Sequence, residues 1–203
     1  DVPCNEFGIN VSDQPVLAEG KVRSMSDPVA IVWAESEEAA LQARRLVKVT
    51  YEDLPGVFDP RQAMQSDAPL VHEDRGSNIY RHIKVRKGDV DQGFAQADVI
   101  VESYYTTPFE EHAYLQPEAG LAYLDETGRV VIHVAAQWPY DDLHQIAHAL
   151  QLPQDRIKEI VGPIGGAFGG REDISIQILL ALGALLLKRP VKTVYSREDS
   201  IRG

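Results

Sequence analysis

A single cysteine, Cys4, stands among 203 residues. One thiol cannot close an internal disulfide, so no disulfide framework holds this chain, and a reducing compartment is the expectation. Nor can one thiol ligate an iron–sulfur cluster, which takes several thiolates. Long apolar runs are lacking too: the longest, ending at Leu187, falls well short of the roughly 20 residues that cross a bilayer. Positive charge is scarce. Twenty Lys and Arg against 31 Asp and Glu leave a formal net charge of −11, so nothing draws the chain to nucleic acid or to an anionic membrane. No basic, apolar leader opens it, and a cytoplasmic location is expected.

What is present is ordinary for a globular protein, 44% hydrophobic and 25% charged, enough for one large domain or two small ones. Val29 to Ala34 reads as a buried strand. Ser36 then caps a helix with Glu37 and Glu38 in its first turn and Arg44 and Arg45 near its end, each charge matched to the helix dipole. Ala39, Ala40, Ala43, Leu46 and Val47 form its apolar stripe, and Val47 to Tyr51 returns as a strand. From Leu54 to about Gly76 the composition turns to Pro, Asp, Gln and Gly, which suits a connector. His72-Glu73-Asp74 within it could in principle hold a metal, though three adjacent polar residues in a connector read better as solvated.

Beyond the connector, Tyr80 to Arg86 and Asp98 to Thr106 alternate as strands, with one or two helical turns between them. Leu121 to Asp125 and Arg129 to Ala135 flank Glu126-Thr127-Gly128 as a hairpin. Pro139 opens a helix to Leu150. His144 and His148 lie four apart on it, a zinc-ligand spacing. His144-Gln145-Ile146-Ala147-His148 lacks the glutamate of a metalloprotease helix, so two surface histidines is the better reading.

The stretch of greatest chemical interest is Gly165-Gly166-Ala167-Phe168-Gly169-Gly170-Arg171-Glu172. An alternating strand, Arg156 to Val161, precedes it and an aliphatic helix, Ile174 to Leu187, follows. A strand, a glycine loop and a helix can aim backbone N–H groups at an anion. The dinucleotide pattern fits in no register. The nucleotide-hydrolysis loop nearly fits, but Arg171 stands for its lysine and Glu172 for its hydroxyl, and a carboxylate there would repel a triphosphate. A glycine-rich turn without a ligand stays open.

The loop resembles the G-G-G-F-G-G-K-E segment of the molybdenum hydroxylases, the xanthine dehydrogenase and aldehyde oxidase family. Asp1-Val2-Pro3, Val47 to Pro55, Glu111-His112-Ala113-Tyr114-Leu115, Gln137 and Arg189-Pro190-Val191 resemble further landmarks in family order, so the likeness covers essentially the whole chain. It implies an α+β protein made of two α/β units. Residues 1–58 would be the end of a small hammerhead-type domain, 59–78 a linker, and 79–203 the first part of a molybdopterin-binding domain. The chain is then a piece of a molybdenum-binding subunit, beginning inside a domain. The resemblance implies oxidative hydroxylation of purines or related N-heterocycles, with oxygen derived from water, at a molybdenum held by molybdopterin or its cytosine dinucleotide form. Iron–sulfur clusters and FAD would sit in other domains or subunits, which are the implied partners with the rest of the molybdenum subunit and a heterocyclic substrate.

By position, Gln137, Gly166, Ala167, Phe168, Gly169, Gly170 and Arg171 match cofactor-binding residues, and the Phe168 backbone lies against the metal's oxo ligand in the family. Glu172 matches a substrate-facing glutamate. Glu110 stands where the family has a glutamine beside the metal, and an ionised carboxylate cannot donate that hydrogen bond. Gln116 replaces a family glutamate. The family's base glutamate and substrate arginine lie downstream of Gly203, so the isolated fragment is expected to be inactive, with no catalytic residue of its own. An aldehyde oxidoreductase of the same family and a non-catalytic scaffold that keeps the fold are the competing readings.

Overall fold

The computed structural model describes residues 2–202, which divide into two compact units, Asp1–Lys48 with Glu110–Gly203, and Val49–Phe109. The protein is α+β. In chain order, α1 spans Glu37–Leu46, capped by Ser36, whose Oγ accepts from Ala39 N–H at 3.2 Å. Its ends carry the acidic and basic residues that the dipole favours. Its stripe is not buried, however: Leu46 and Val47 are 77% and 44% exposed, and no residue of the helix is buried. Charge pairing and a cap, rather than a packed face, hold this helix.

The second unit contains α2 (Pro60–Ala63) and α3 (Val90–Ala95). Asp59 caps α2, accepting from Arg61 and Gln62 N–H, which holds its carboxyl below the usual range. Asn78 ties the proline-rich stretch together: its amide oxygen accepts from Val71 N–H and its amide nitrogen donates to the carbonyls of Ala63 and Pro69.

The core of the first unit is a four-stranded sheet. β1 (Ala119–Leu124) and β2 (Val130–Val134) form the expected hairpin, α4 (Pro139–Leu150) leads to β3 (Ile157–Val161), and α5 (Gln177–Leu187) leads to β4 (Val191–Val194) and α6 (Arg197–Arg202). The order is β3-β2-β1-β4, with β2 and β3 parallel and the other pairs antiparallel. Asp125 shapes the hairpin turn, accepting from Thr127 N–H and Oγ1 and from Arg129 N–H. The parallel pair needs a crossover, and α4 supplies it.

Ile132, Ile146 and Ile176 are fully buried where sheet, α4 and α5 meet; each contributes about 1.5–3 kcal/mol by leaving water. Trp33 joins this core against α5. A methyl group at Gly183 would lie 2.7 Å from its indole nitrogen, so only glycine allows that approach.

Four expected strands are absent. Residues 29–34, 47–51, 80–86 and 98–106 form no strand. Val85, Val99 and Val101 are 77–86% exposed, so within the second unit their alternating face is uncovered by the described residues. Conversely, β4 follows Pro190 and is four residues long, too short to announce itself as a strand.

Beneath α4, a buried acid pair has a measurable consequence. Asp142 accepts from Gln177 Nε2 at 3.0 Å, but its other oxygen and both oxygens of Glu159 are buried without a donor. Burial first, then the facing carboxylate in the case of Glu159, pushes the pair up, Asp142 to about 6 and Glu159 to about 8. Unfolded carboxyls ionise near pH 4, so between about pH 4 and 8 the folded state holds the extra proton. Stability is full below the unfolded value and lost as pH rises through the folded ones. The melting temperature should therefore be higher at pH 5.5 than at 8, and Glu159→Gln should remove most of that difference; an unchanged pH slope in the variant would assign it elsewhere.

Candidate functional site

The glycine loop is built by backbone conformations that ordinary residues avoid. Gly166 and Gly169 have φ of 102° and 93°, and Phe168 between them has φ of 52°. Four non-glycine residues have positive φ among the described ones. Gln151 and Lys188 are helix C-caps, where that conformation is routine. The other two, Ala113 and Phe168, belong to the loop and to the segment beside it. Strain of about 1–3 kcal/mol per residue persists only where surroundings enforce it, and such residues gather at functional sites.

Arg171 is the enforcing group. It is 4% exposed; its Nε donates to Gly166 O at 3.2 Å and its Nη2 to Gln116 O. The guanidinium carbon sits 4.3 Å from the centre of the Tyr114 ring, and Nη2 lies 3.9 Å from Glu118 Oε1. Tyr114 donates its hydroxyl to that same carboxylate, and burial followed by Glu118 pushes the phenol up to about 12, so it stays a donor. The Arg171 carbonyl accepts from Gln137 N–H at 3.2 Å, joining the loop to the end of β2. Gln116 completes the brace: its Oε1 accepts from Gly165 N–H at 2.7 Å, and its own N–H donates to Gly165 O. A carboxylate at position 116 could accept the same bond, so this departure from the family pattern costs the loop nothing.

Side chains alternate around this frame. Ala167 and Arg171 point inward; Phe168, 77% exposed, points outward. A methyl at Gly169 would meet nothing nearer than Glu172 Oε1 at 3.9 Å and His112 Nε2 at 4.0 Å. A methyl at Gly170 would strike Tyr114 at 2.8 Å and His112 at 3.0 Å. The loop therefore offers an open backbone edge flanked by a carboxylate, an imidazole and an exposed aromatic ring. Glu172 makes no hydrogen bond or ion pair among the described residues and is free to meet a ligand.

Of the residues singled out from sequence, Gly166, Ala167, Phe168, Gly169, Gly170, Arg171, Glu172 and Gln137 come together here. Gln137 Oε1 is buried, an acceptor for which the described residues supply no donor. Glu110 is exposed, two residues before His112, and makes no hydrogen bond or ion pair among the described residues. His112 is legible only as part of the Glu111–Leu115 landmark; nothing in its spacing announces that it lies, with Glu172, beside Gly169. His144 and His148 do not converge as a pair, and His72-Glu73-Asp74 forms no metal-ligating group among the described residues.

An open backbone edge, an orphaned acceptor and a strained aromatic thus meet at one loop of an α+β scaffold. Residues 71–203 match the family model described as molybdopterin cofactor-binding domain, and residues 1–55 that described as aldehyde oxidase and xanthine dehydrogenase, a/b hammerhead domain. The chain belongs to the aldehyde oxidase and xanthine dehydrogenase family. It is 37% identical over 196 residues to the nicotinate dehydrogenase large molybdopterin subunit of Eubacterium barkeri, covering 97% of this chain and 46% of that protein. It is 38% identical over 203 residues to a probable xanthine dehydrogenase subunit of Bacillus subtilis (strain 168), covering 100% of this chain and 27% of that one. Among solved structures, the aldehyde oxidoreductase from Desulfovibrio gigas superposes with a TM-score of 0.83 at 28% identity, over 98% of this chain and 22% of its own. The chain thus spans less than half the length of these relatives. No helix among the described residues is long and apolar enough to cross a membrane.

Proposed function

We propose that this chain is the part of a molybdenum-binding subunit that holds one side of a molybdopterin cofactor and presents Glu172 to a purine or related N-heterocycle. The observation that carries the reading is the open edge at Gly169, bounded by the unpartnered Glu172 carboxylate and by Phe168 in a strained conformation. The residues suit a polar cofactor. Backbone N–H groups of a glycine loop accept close approach by oxygen, and the orphaned Gln137 Oε1 asks for a donor such as a pterin amine.

In this proposal Gln137 and Gly166 to Gly170 hold the cofactor, Arg171 keeps the loop's shape from beneath, and the Phe168 backbone and Glu110 lie on the metal's side. When bound, the group would supply two-electron oxidation of a carbon with oxygen from water. The chain's own residues bind and orient: a Glu172 carboxylate accepts from a ring N–H, His112 beside it adds a donor or acceptor, and Phe168 offers a face for a flat ring. The cofactor's cytosine dinucleotide form, iron–sulfur and flavin partners, a cytoplasmic location, and a domain boundary within residues 59–78 belong to the same proposal. The composition supports the location, with one cysteine and strong negative charge.

The purified full-length protein should contain about one molybdenum per subunit and oxidise N-heterocycles, with product oxygen labelled from isotopic water. Absent molybdenum, or label from dioxygen instead, would overturn the reading.

A further inference from the structure

Away from the glycine loop, the N-terminal segment and the end of α4 bring three unlike donor atoms together. Cys4 Sγ lies 3.3 Å from His148 Nε2 and 3.9 Å from Glu6 Oε1, and His148 Nε2 lies 3.1 Å from that same Glu6 oxygen. The backbone sets this arrangement on both sides. Cys4 N–H donates to Ala149 O at 2.9 Å, one residue past His148, and Gly8 N–H donates to Gln145 Oε1 at 2.8 Å, nearly one turn back on α4. The donors are therefore presented by anchored segments, though they lie 2 and 144 residues apart in the chain.

We propose that Cys4, Glu6 and His148 form a site for one zinc-type divalent ion, bound through thiolate, carboxylate and imidazole with water as the fourth ligand. Zinc sits about 2.3 Å from sulfur and about 2.0–2.2 Å from nitrogen or oxygen, so a tetrahedral site separates its donor atoms by roughly 3.3–3.6 Å. The three edges observed here, 3.1, 3.3 and 3.9 Å, bracket that range and need only small side-chain adjustments to meet it. The donor set selects the ion: a thiolate beside an imidazole suits zinc and its neighbours, whereas magnesium and calcium take oxygen ligands. Access is provided, since the His148 and Glu6 side chains are 44% and 49% exposed. Three protein ligands leave a position for water, which marks an exchangeable site rather than a closed structural one. An ion held there joins residues 4–6 to residue 148 and so clamps the N-terminal segment onto α4, stabilising the folded state by mass action.

The site is independent of the glycine loop, and its test does not rely on turnover. The full-length protein, treated with chelator, is titrated with cobalt(II) as an optical stand-in for zinc, and its spectrum is compared with that of Cys4→Ser. The expected result is one extra cobalt per chain in the native protein, with a thiolate-to-cobalt charge-transfer band that zinc abolishes and that Cys4→Ser lacks. His148→Gln and Glu6→Gln, at half-exposed positions where folding is not at stake, should each weaken zinc binding at least tenfold in competition with a chromophoric chelator. Zinc should raise the melting temperature of the native protein and not that of His148→Gln. A band that survives in Cys4→Ser, or zinc affinity unchanged in His148→Gln, overturns the proposal and leaves the three groups as a hydrogen-bonded cluster.

Discussion

Arg171→Met should be the most damaging single substitution in the glycine loop. The native guanidinium serves two carbonyls, the Tyr114 ring and, at 3.9 Å, the Glu118 carboxylate, all in a site where Arg171 and Glu118 side chains are 4% and 6% exposed. Methionine matches the stem but leaves Glu118 buried without its cation, and removing one partner of a buried pair costs about 3–5 kcal/mol. For a domain of this size each kcal/mol moves the melting temperature by roughly 2–4 °C, so a fall of about 6–20 °C is expected. Arg171→Lys should recover little, since an ammonium cannot lie flat on Tyr114 while reaching both carbonyls. The decisive comparison is the double variant Arg171→Met, Glu118→Gln, whose neutral amide removes the stranded charge. It should melt well above Arg171→Met alone. Equal melting would mean that the two groups are not coupled and that the loop is held by its backbone turns.

The second large effect concerns Glu172. If the proposed function holds, Glu172→Gln in the full-length protein should lower kcat/KM for purines or similar heterocycles at least tenfold while leaving small aldehydes nearly unaffected. A hydrogen bond to a charged group contributes about 1.5–3 kcal/mol, and each 1.36 kcal/mol of transition-state stabilisation is tenfold in rate. The glutamine keeps the shape and loses the charge, and since Glu172 is exposed and bonds to no described residue, its loss should not disturb the fold. Steady-state kinetics on both substrate classes, with thermal melting alongside, separates the alternatives. If both activities drop together with the melting temperature, Glu172 serves the start of the following segment, and the heterocycle assignment loses its main support.

These two neighbours also show what the sequence could and could not carry. Helices α1, α4 and α5 and the β1–β2 hairpin were legible because each pattern is local: a Ser cap, a proline at the first turn, an aliphatic run, Asp125 and Gly128 around a tight turn. The glycine loop was legible from its composition and its resemblance. The inward turn of Arg171 was not, because an arginine among glycines reads as a cation for a ligand, and only tertiary neighbours reveal the ring and carbonyls that claim it. Residues 80–86 and 98–106 failed differently. Alternation records which face a strand would bury, but it cannot supply the neighbouring strand, and Val85 and Val101 stay in water. Sequence favours two surface histidines on α4, whereas His148 meets Cys4 and Glu6, a contact that no local pattern encodes.

The placement of Trp33 against Gly183 bears on how the chain is made. The first unit is assembled from its two ends, residues up to Lys48 and residues from Glu110 onward, with some sixty residues of the other unit in between. Val2, Phe7, Val16 and Trp33 all belong to a core whose other members lie beyond residue 120. During synthesis those four residues must wait, apolar and uncovered, until α4 and then α5 have emerged. Such long-range closure slows folding and prolongs the interval in which an early segment can join the wrong partner. Protection of residues 2–33 until residue 184 has been made is thus a requirement that the topology places on the cell.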